Sequence, residues 1–155
     1  MKIDELYQEI ILDHYKAKHH SGLRGPYDAE VYHVNPVCGD EVRLRILLDG
    51  DVVSDVSYES AGCSISQAST SVMTDLVIGR TAGEGLALHD EFLAVMQGQG
   101  EIVPDEERLE DAVAFAGVAR FPARVKCALL GWSAFKDAAI RATSGESRKP
   151  EVEVQ

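Results

Sequence analysis

This sequence is short of basic residues, of cysteine and of long apolar runs. Its 155 residues include 15 Lys and Arg against 26 Asp and Glu, which gives a formal net charge of −11. The acidic excess argues against nucleic acid as a partner, because phosphate binding needs a basic face. No apolar run approaches the roughly 20 residues of a membrane-spanning helix, so we expect no membrane span.

The stretch from Met1 to Glu5 lacks the apolar core of a secretory signal peptide. Cysteine occurs only three times, and an odd number in such a chain favours reduced thiols over disulfides. Both observations predict a cytoplasmic protein. The apolar fraction of 45% predicts a globular domain, and 155 residues are enough for one with its own core.

Hydrophobic periodicity predicts an α+β fold, in which about five helices pack a small three-stranded antiparallel sheet. Apolar residues recur at helical spacing between Ile3 and His14. Three β-rich segments follow at 31–37, 42–46 and 52–58, and Asp49-Gly50 is a hairpin turn signal between the last two.

Four further helical segments fill the second half of the chain. Capping-box patterns predict helices that open at Ser64 and at Thr81. A short helix is predicted to end at Gly117, and Phe121-Pro122 to open the last one. We expect a single domain over residues 1–144 and a disordered polar tail over 145–155.

All three cysteines stand at the ends of predicted elements. Cys38 and Asp40 flank Gly39 at a turn, Cys63 lies just before a predicted helix, and Cys127 lies near the start of the last helix. A helix N-terminus lowers the pKa of a thiol, so we expect reactive thiols at Cys63 and, more weakly, at Cys127. Three thiolates and one carboxylate can bind a thiophilic metal, and the thiols can carry persulfide sulfur.

A plainer interpretation of each cysteine is a small buried apolar residue. The positions of all three beside a glycine or a helix end favour a shared site instead. Arg124 lies near the predicted start of the last helix, where a positive charge is unfavourable because it opposes the helix dipole. Its presence there suggests that it has a function at this site. Lys126 is interpreted as a solvated residue.

The five histidines give weaker signals. His14 lies on the apolar stripe of the first helix and is predicted to be packed, not a ligand. His19 and His20 follow the basic end of that helix and are predicted to be solvated, while His33 and His89 have no recognisable metal spacing.

Four segments together resemble the IscU/NifU-N iron–sulfur cluster assembly proteins, and within them the SufU branch. These segments are residues 6–15, 35–40, 62–69 and 124–128, and the resemblance extends from Leu6 to about Ala142. Two features favour the SufU branch. Lys126 occupies the position where IscU scaffolds place a histidine, and residues 79–122 form a longer segment between the second and third cysteines.

The resemblance implies a zinc site made by Cys38, Asp40, Cys63 and Cys127, on a three-stranded antiparallel sheet packed by helices. It also implies a sulfur acceptor for a SufS-type, pyridoxal-phosphate-dependent cysteine desulfurase, which passes sulfur to downstream SUF cluster assembly proteins. Cys38 is the expected acceptor, because it stands beside the flexible Gly39 and not in a helix. Arg124 is expected to assist in the complex with the desulfurase.

Two other functions stay open at this point. The same residues are suited to a scaffold on which an iron–sulfur cluster is assembled and then transferred, although Lys126 counts against it. The third candidate is a purely structural zinc domain, which would unfold without its metal. The expected role is that of a desulfurase partner and not of a stand-alone enzyme, and the final sulfur recipient and the oligomeric state are not encoded in any recognisable motif.

Overall fold

The computed structural model describes residues 3–144, so the predicted tail at 145–155 lies outside the described residues. Within residues 3–144 the chain forms three strands, five α-helices and one 3₁₀ segment. In chain order they are α1 Ile3–Ala17, β1 Ala29–Asn35, β2 Asp40–Asp49, β3 Val52–Ala61, α2 Ser64–Val77, α3 Ala82–Gln97, α4 Glu106–Leu109, the 3₁₀ segment Glu110–Arg120 and α5 Pro122–Ser144. The predicted α+β class is confirmed.

The strands form an antiparallel meander in the order β1-β2-β3. Leu44 in the central strand stands opposite Val31 on one side and Tyr58 on the other, and all three are buried. Alternate residues such as Tyr32 and Arg43 point to the exposed face, as the period of a strand requires. The sheet therefore has one wet face and one face covered by helix.

The core lies between the sheet and the helices, with α5 against β1, β2 and α2. Trp132 of α5 stacks on Phe92 with 4.9 Å between ring centroids, and Phe115 meets Phe92 edge-on at 6.2 Å. Gly131 lets α2 and α5 approach closely, because a Cβ there would lie 2.9 Å from Thr70 Cβ. This close approach sets the distance between the starts of α2 and α5, where two cysteines lie.

Two expectations about the helices were wrong in detail. Ser64 does not cap α2: the N-cap residue is Cys63, whose side chain makes no cap hydrogen bond, and Gln67 Nε2 donates to the Gly62 carbonyl at 2.8 Å. The short helix predicted to end at Gly117 is one α-turn followed by a 3₁₀ segment that continues to Arg120.

The capping box at Thr81 is confirmed, with Glu84 N donating to Thr81 Oγ1 and Thr81 N donating to Glu84 Oε1. His14 is packed as expected, with 5% of its surface exposed. Along residues 3–144, none of the helices combines the length and the apolar character that crossing a bilayer would require.

Candidate metal centre

Three element ends meet at one edge of the sheet and bring together residues that are distant in sequence. Cys38 lies in the β1–β2 turn, Asp40 begins β2, Cys63 caps α2, and Cys127 lies in the second turn of α5. Cys38 and Cys63 are exposed, whereas Cys127 and Asp40 are buried. The four residues predicted as metal ligands therefore share one site that is open to solvent on one side.

The β1–β2 turn is built by its own sequence. Asn35 Oδ1 accepts from Val37 N at 3.2 Å, and the Asn35 carbonyl accepts from Gly39 N at 2.8 Å. An Asn side chain bonded to the backbone two residues on is a common way to start a turn. Gly39 takes a φ of +75°, which a residue with a Cβ adopts rarely. The turn leaves Cys38 at the surface with no regular element around it.

The donor atoms of the site lie at short distances. Cys127 Sγ is 3.3 Å from Cys38 Sγ, and Cys63 Sγ is 3.7 Å from Asp40 Oδ2. The ligand atoms of Cys38, Asp40 and Cys127 all lie within 4.8 Å of one another, and Cys63 joins them through Asp40. Three donors therefore already face one another, and Cys63 lies at the rim of the group; together they would supply the four ligands that a tetrahedral ion takes.

Asp40 organises the junction between β2 and α2. Its Oδ1 accepts a hydrogen bond from Cys63 N at 2.8 Å, which satisfies a donor at the N-terminus of α2. Gly62 makes room for this contact with a φ of +135°, and a Cβ there would lie only 2.8 Å from Asp40 Cα and overlap Oδ1. The segment before α2 is thus shaped around the carboxylate.

Cys127 differs from the sequence-based expectation of a thiol made acidic by the helix start. Burial raises its pKa above the usual range, and its contacts with Asp40, Cys38 and Cys63 raise it further. Two effects compete here, and desolvation of the thiolate outweighs the helix dipole. The ionised form of this thiol is therefore stable only when a cation is close to it.

The donor set fits a zinc ion. A Zn–S bond of about 2.3 Å in a tetrahedron separates two sulfurs by about 3.8 Å, and the sulfurs of Cys38 and Cys127 are 3.3 Å apart, so a shift of about half an ångström would seat an ion between them. Three thiols and a carboxylate in contact, one thiol with its pKa raised, form a group of acids that a divalent cation would ionise and hold. A soft, sulfur-rich sphere with one oxygen is typical of zinc or iron and not of magnesium or calcium.

Asn35 begins the segment 35–40 that carries part of the family resemblance, and the sequence alone predicts no role for it. Its Nδ2 is buried and has no hydrogen-bond partner among the described residues. Asn35 stands directly opposite Asp40 in the β1–β2 ladder, so the two side chains lie on the same face of the sheet. An unpaired buried amide is rare, and this one lies next to the cysteine site, where thiolate or carboxylate charge would accept from it.

Arg124 lies in the first turn of α5 and is exposed. Its guanidinium carbon is 5.5 Å from the centroid of the Phe121 ring, and within residues 3–144 no carboxylate pairs with it. It lines a cleft of about 500 Å³ between α1 and the start of α5, together with Arg120, Tyr7 and Ile65. Arg124 lies three residues before Cys127 on α5, and within residues 3–144 no hydrogen bond or ion pair joins it to the four cysteine-site residues.

None of the histidines joins the cysteines. His33 Nε2 lies 2.9 Å from Asp137 on α5, and His89 Nδ1 lies 3.0 Å from Asp90. His19 and His20, which were predicted to be solvated, are half-exposed and both lie beside Asp75.

Known proteins resemble the chain over most of its length. The family model "NifU-like N terminal domain" matches residues 6–128. The zinc-dependent sulfurtransferase SufU of Bacillus subtilis is 40% identical over 92% of this chain and 95% of its own length. The iron-sulfur cluster assembly scaffold protein IscU of Streptococcus pyogenes is 41% identical over 94% of this chain and 89% of its own.

A solved structure agrees with these relatives. It is described as a putative iron-sulfur cluster assembly scaffold protein for the SUF system from Fervidobacterium islandicum, and it is 38% identical with a TM-score of 0.79. The similarity covers 89% of this chain and 99% of that one. The matched residues 6–128 include all four members of the cysteine site, and the chain belongs to the family of NifU-like N-terminal domains, with SufU and IscU proteins among its relatives.

Proposed function

We propose that this protein is a zinc-dependent sulfur acceptor that takes persulfide sulfur from a SufS-type cysteine desulfurase for iron–sulfur cluster assembly in the cytoplasm. The observation that carries the proposal is an exposed thiol, Cys38, on the β1–β2 turn within a site of three thiols and one carboxylate. The name of the B. subtilis relative, a zinc-dependent sulfurtransferase, supports the same activity.

Cys38, Asp40, Cys63 and Cys127 are the proposed zinc ligands. When bound, zinc would keep the thiols ionised and hold three segments of the chain together. Asp40 holds the start of α2 by accepting a hydrogen bond from Cys63 N, and Gly62 has no side chain that would block this contact. Asn35 lies opposite Asp40 on the neighbouring strand, and its buried Nδ2, which has no partner among the described residues, would donate to the charge that the ionised site carries.

Cys38 is the proposed acceptor because its thiol is exposed and lies in a turn outside any helix or strand. Cys127 is buried, and Cys63 is fixed by its backbone bond to Asp40. In the reaction, the Cys38 thiolate attacks the terminal sulfur of the desulfurase persulfide. A new S–S bond forms at Cys38, the S–S bond of the donor breaks, and the desulfurase cysteine leaves as a thiolate, so no outside oxidant is needed.

Arg124 is proposed to steer or position the desulfurase. Its charge lies in the first turn of α5 without a carboxylate partner among residues 3–144, in a molecule with a net charge of −11. An unpaired cation beside an exposed thiol can bind an acidic group of a docked partner. The stacking against Phe121 holds the guanidinium at this edge of the cleft.

A cluster assembly scaffold is the second candidate, and the names of the S. pyogenes and F. islandicum relatives favour it. It would use the same four residues. Lys126, where IscU scaffolds carry a histidine, removes a nitrogen ligand beside Cys127 and counts against it. Elemental analysis of the purified protein separates the two candidates: stoichiometric zinc supports the acceptor, and stoichiometric iron with sulfide supports the scaffold.

The acceptor proposal is tested by desulfurase turnover together with mass spectrometry. After reaction with a SufS-type desulfurase and cysteine, the added sulfur should be on Cys38, and Cys38→Ala should abolish stimulation while the fold is retained. Arg124→Ala should lower stimulation with zinc still bound, whereas Arg120→Ala, which changes another arginine that lines the same cleft, should not. Sulfur found only on Cys127, with Cys38→Ala fully active, would overturn the assignment.

A further inference from the structure

A second group of metal-ligating side chains lies at the other end of α2 from the cysteines. It consists of His14, His19, His20, Asp75 and Asp111, and is called the histidine cluster below. His14 comes from α1, Asp75 from the last turn of α2 and Asp111 from the 3₁₀ segment. The helix between Cys63 and Asp75 spans about 18 Å at about 1.5 Å per residue, so the cluster is separate from the candidate metal centre.

Two consecutive histidines share one carboxylate. Asp75 Oδ2 lies 2.6 Å from His19 Nδ1, and Oδ1 lies 3.4 Å from His20 Nε2. The backbone bends to allow this, with φ values of +47° at Lys18 and +64° at His20. Positive φ is uncommon for residues other than glycine. The chain therefore adopts an unfavourable local conformation that brings both imidazoles to Asp75.

The third histidine is buried beside them. His14 Nδ1 lies 2.8 Å from Ser71 Oγ and Nε2 lies 3.0 Å from Asp111 Oδ2. Its ring centroid is 4.7 Å from that of His19. The ligand atoms of His14, His19 and Asp75 all lie within 4.8 Å of one another. Three different segments thus bring two imidazoles and a carboxylate within reach of a single ion, which would replace one of the two hydrogen bonds of His14.

The charges of the cluster are unbalanced. Neither Asp75 nor Asp111 pairs with a lysine or arginine in the part of the chain that the structure describes, and histidines are their ion-pair partners. Asp75 also stands in the last turn of α2, where the helix dipole disfavours a negative charge. The cluster offers nitrogen and oxygen donors with no fixed cation among them.

One buried polar atom beside the cluster has no partner. The Tyr58 side chain is fully buried, and its hydroxyl makes no hydrogen bond with good geometry to any described residue. Burial raises the pKa of Tyr58 to about 12, and Ser71 and Asp75 are the polar neighbours that act on it. The Tyr58 hydroxyl is thus a buried polar group next to Ser71, which itself contacts His14, and it gives the inner side of the cluster a polar lining.

We propose that the histidine cluster is a second metal site, which binds a divalent ion of the zinc, cobalt or nickel type through His14, His19 and Asp75. Imidazole and carboxylate together suit these ions, whereas the cysteine site is softer. The ion takes the place of the hydrogen that His19 and Asp75 share. The side chains of His19 and Asp75 are 45% and 39% exposed, which gives an ion access from solvent. The bound ion ties the end of α1 to α2, independently of any role in sulfur transfer.

Cobalt is the probe, because its spectrum distinguishes the two sites. The full chain is loaded with one equivalent of zinc, which thiolates retain against cobalt, and then titrated with Co²⁺. One Co²⁺ per chain should bind with weak d–d absorption and without thiolate-to-cobalt charge transfer. His19→Gln and Asp75→Asn should each lower its affinity at least about 10-fold, since each removes a ligand.

His33→Gln is the matched control, because His33 and Asp137 form another half-exposed pair at 2.9 Å. It should bind Co²⁺ like the unaltered chain. In NMR spectra, Co²⁺ should broaden the imidazole signals of His14, His19 and His20 while leaving that of His89 sharp. Unchanged binding in His19→Gln, equal loss in His33→Gln, or no Co²⁺ uptake by the unaltered chain would each overturn the proposal, and none of these results bears on the desulfurase assay.

Discussion

Asp40 contributes two carboxylate oxygens to the cysteine site, one near Cys63 Sγ and one that accepts from the backbone N–H of Cys63, and the two contributions can be separated by mutation. Asp40→Ala removes the oxygen near Cys63 Sγ and the acceptor for Cys63 N. We expect faster loss of zinc to a competing chelator, and a loss of about 1 kcal/mol in the free energy of unfolding for the broken hydrogen bond. Urea titration and a chelator competition measure the two effects.

Asp40→Asn is the control for this prediction, because an amide oxygen still accepts from Cys63 N but carries no charge. It should keep most of the stability and still release zinc faster than the unaltered protein. If Asp40→Ala holds zinc as tightly as the unaltered chain, Asp40 is not a ligand.

Gly62 gives a second prediction at the residue scale. Gly62→Ala places a methyl group against Asp40 at a backbone φ of +135°, so the carboxylate and the start of α2 must shift. We expect lower zinc affinity and a free energy of unfolding reduced by about 1–3 kcal/mol. Gly117→Ala is the matched control, because it has a free approach for a Cβ and no positive φ. Equal effects of the two substitutions would contradict the role given to Gly62.

Single residues also show the limit of sequence reasoning about the site. Cys38, Cys63 and Cys127 could be predicted to share a site because each stands at an element end, and the structure places Cys38 and Cys127 in contact and Cys63 beside Asp40. The pKa of Cys127 was not predictable in direction, since burial is a property of the packed molecule. The role of Asn35 was also hidden, because its position opposite Asp40 depends on strand register.

At the scale of elements, a capping pattern in the sequence predicts the start of a helix correctly when all the contacts of the cap are local. The Thr81 capping box was predicted correctly because both its contacts are local. At Ser64 the same pattern failed: Asp40, distant in sequence, binds Cys63 N, and Cys63 becomes the N-cap residue. A local signal was overridden by a tertiary contact that belongs to the cysteine site.

The prediction of a short helix that ends at Gly117 was wrong for a related reason. Leu109, Ala112, Val113 and Ala116 recur at helical spacing, and three of the four are buried. The chain nevertheless forms 3₁₀ turns from Glu110 onward, beginning at a residue with φ of +46°. Hydrophobic spacing predicts which residues face the core and does not distinguish an α-helix from a run of tighter turns.

Thr81 carries the prediction at this scale. Thr81→Ala removes the acceptor for Glu84 N and should lower the free energy of unfolding by about 1 kcal/mol. The reciprocal bond from Thr81 N holds the pKa of Glu84 below its usual range, so Glu84 stabilises the helix above its ordinary pKa and this contribution is lost as the pH falls through the lowered value. Thr143→Ala near the end of α5 is the control, and it should have the smaller effect in chemical denaturation at neutral pH.

At the scale of the whole molecule, the proposed zinc site and the hydrophobic core lie in different places. The core is built from α5, α3 and the sheet around Trp132, Phe92 and Tyr58, all fully buried. The proposed zinc ligands come from three separate segments at one edge of this core, so only the folded chain gathers them. Metal binding should therefore add to stability without creating the fold.

Removal of the metal tests whether the core alone keeps the chain folded and how much the metal adds to its stability. With zinc at about 1,000 times its dissociation constant, binding stabilises the folded chain by about 4 kcal/mol. For a domain of this size each kcal/mol shifts the thermal midpoint by about 2–4 °C, so a chelator should lower the midpoint by about 10 °C while unfolding stays cooperative. Added zinc should restore the original value. An unfolded metal-free chain would favour the structural-zinc alternative, because that alternative requires the core to be insufficient, and an unchanged midpoint would show that the four ligands hold no ion in solution.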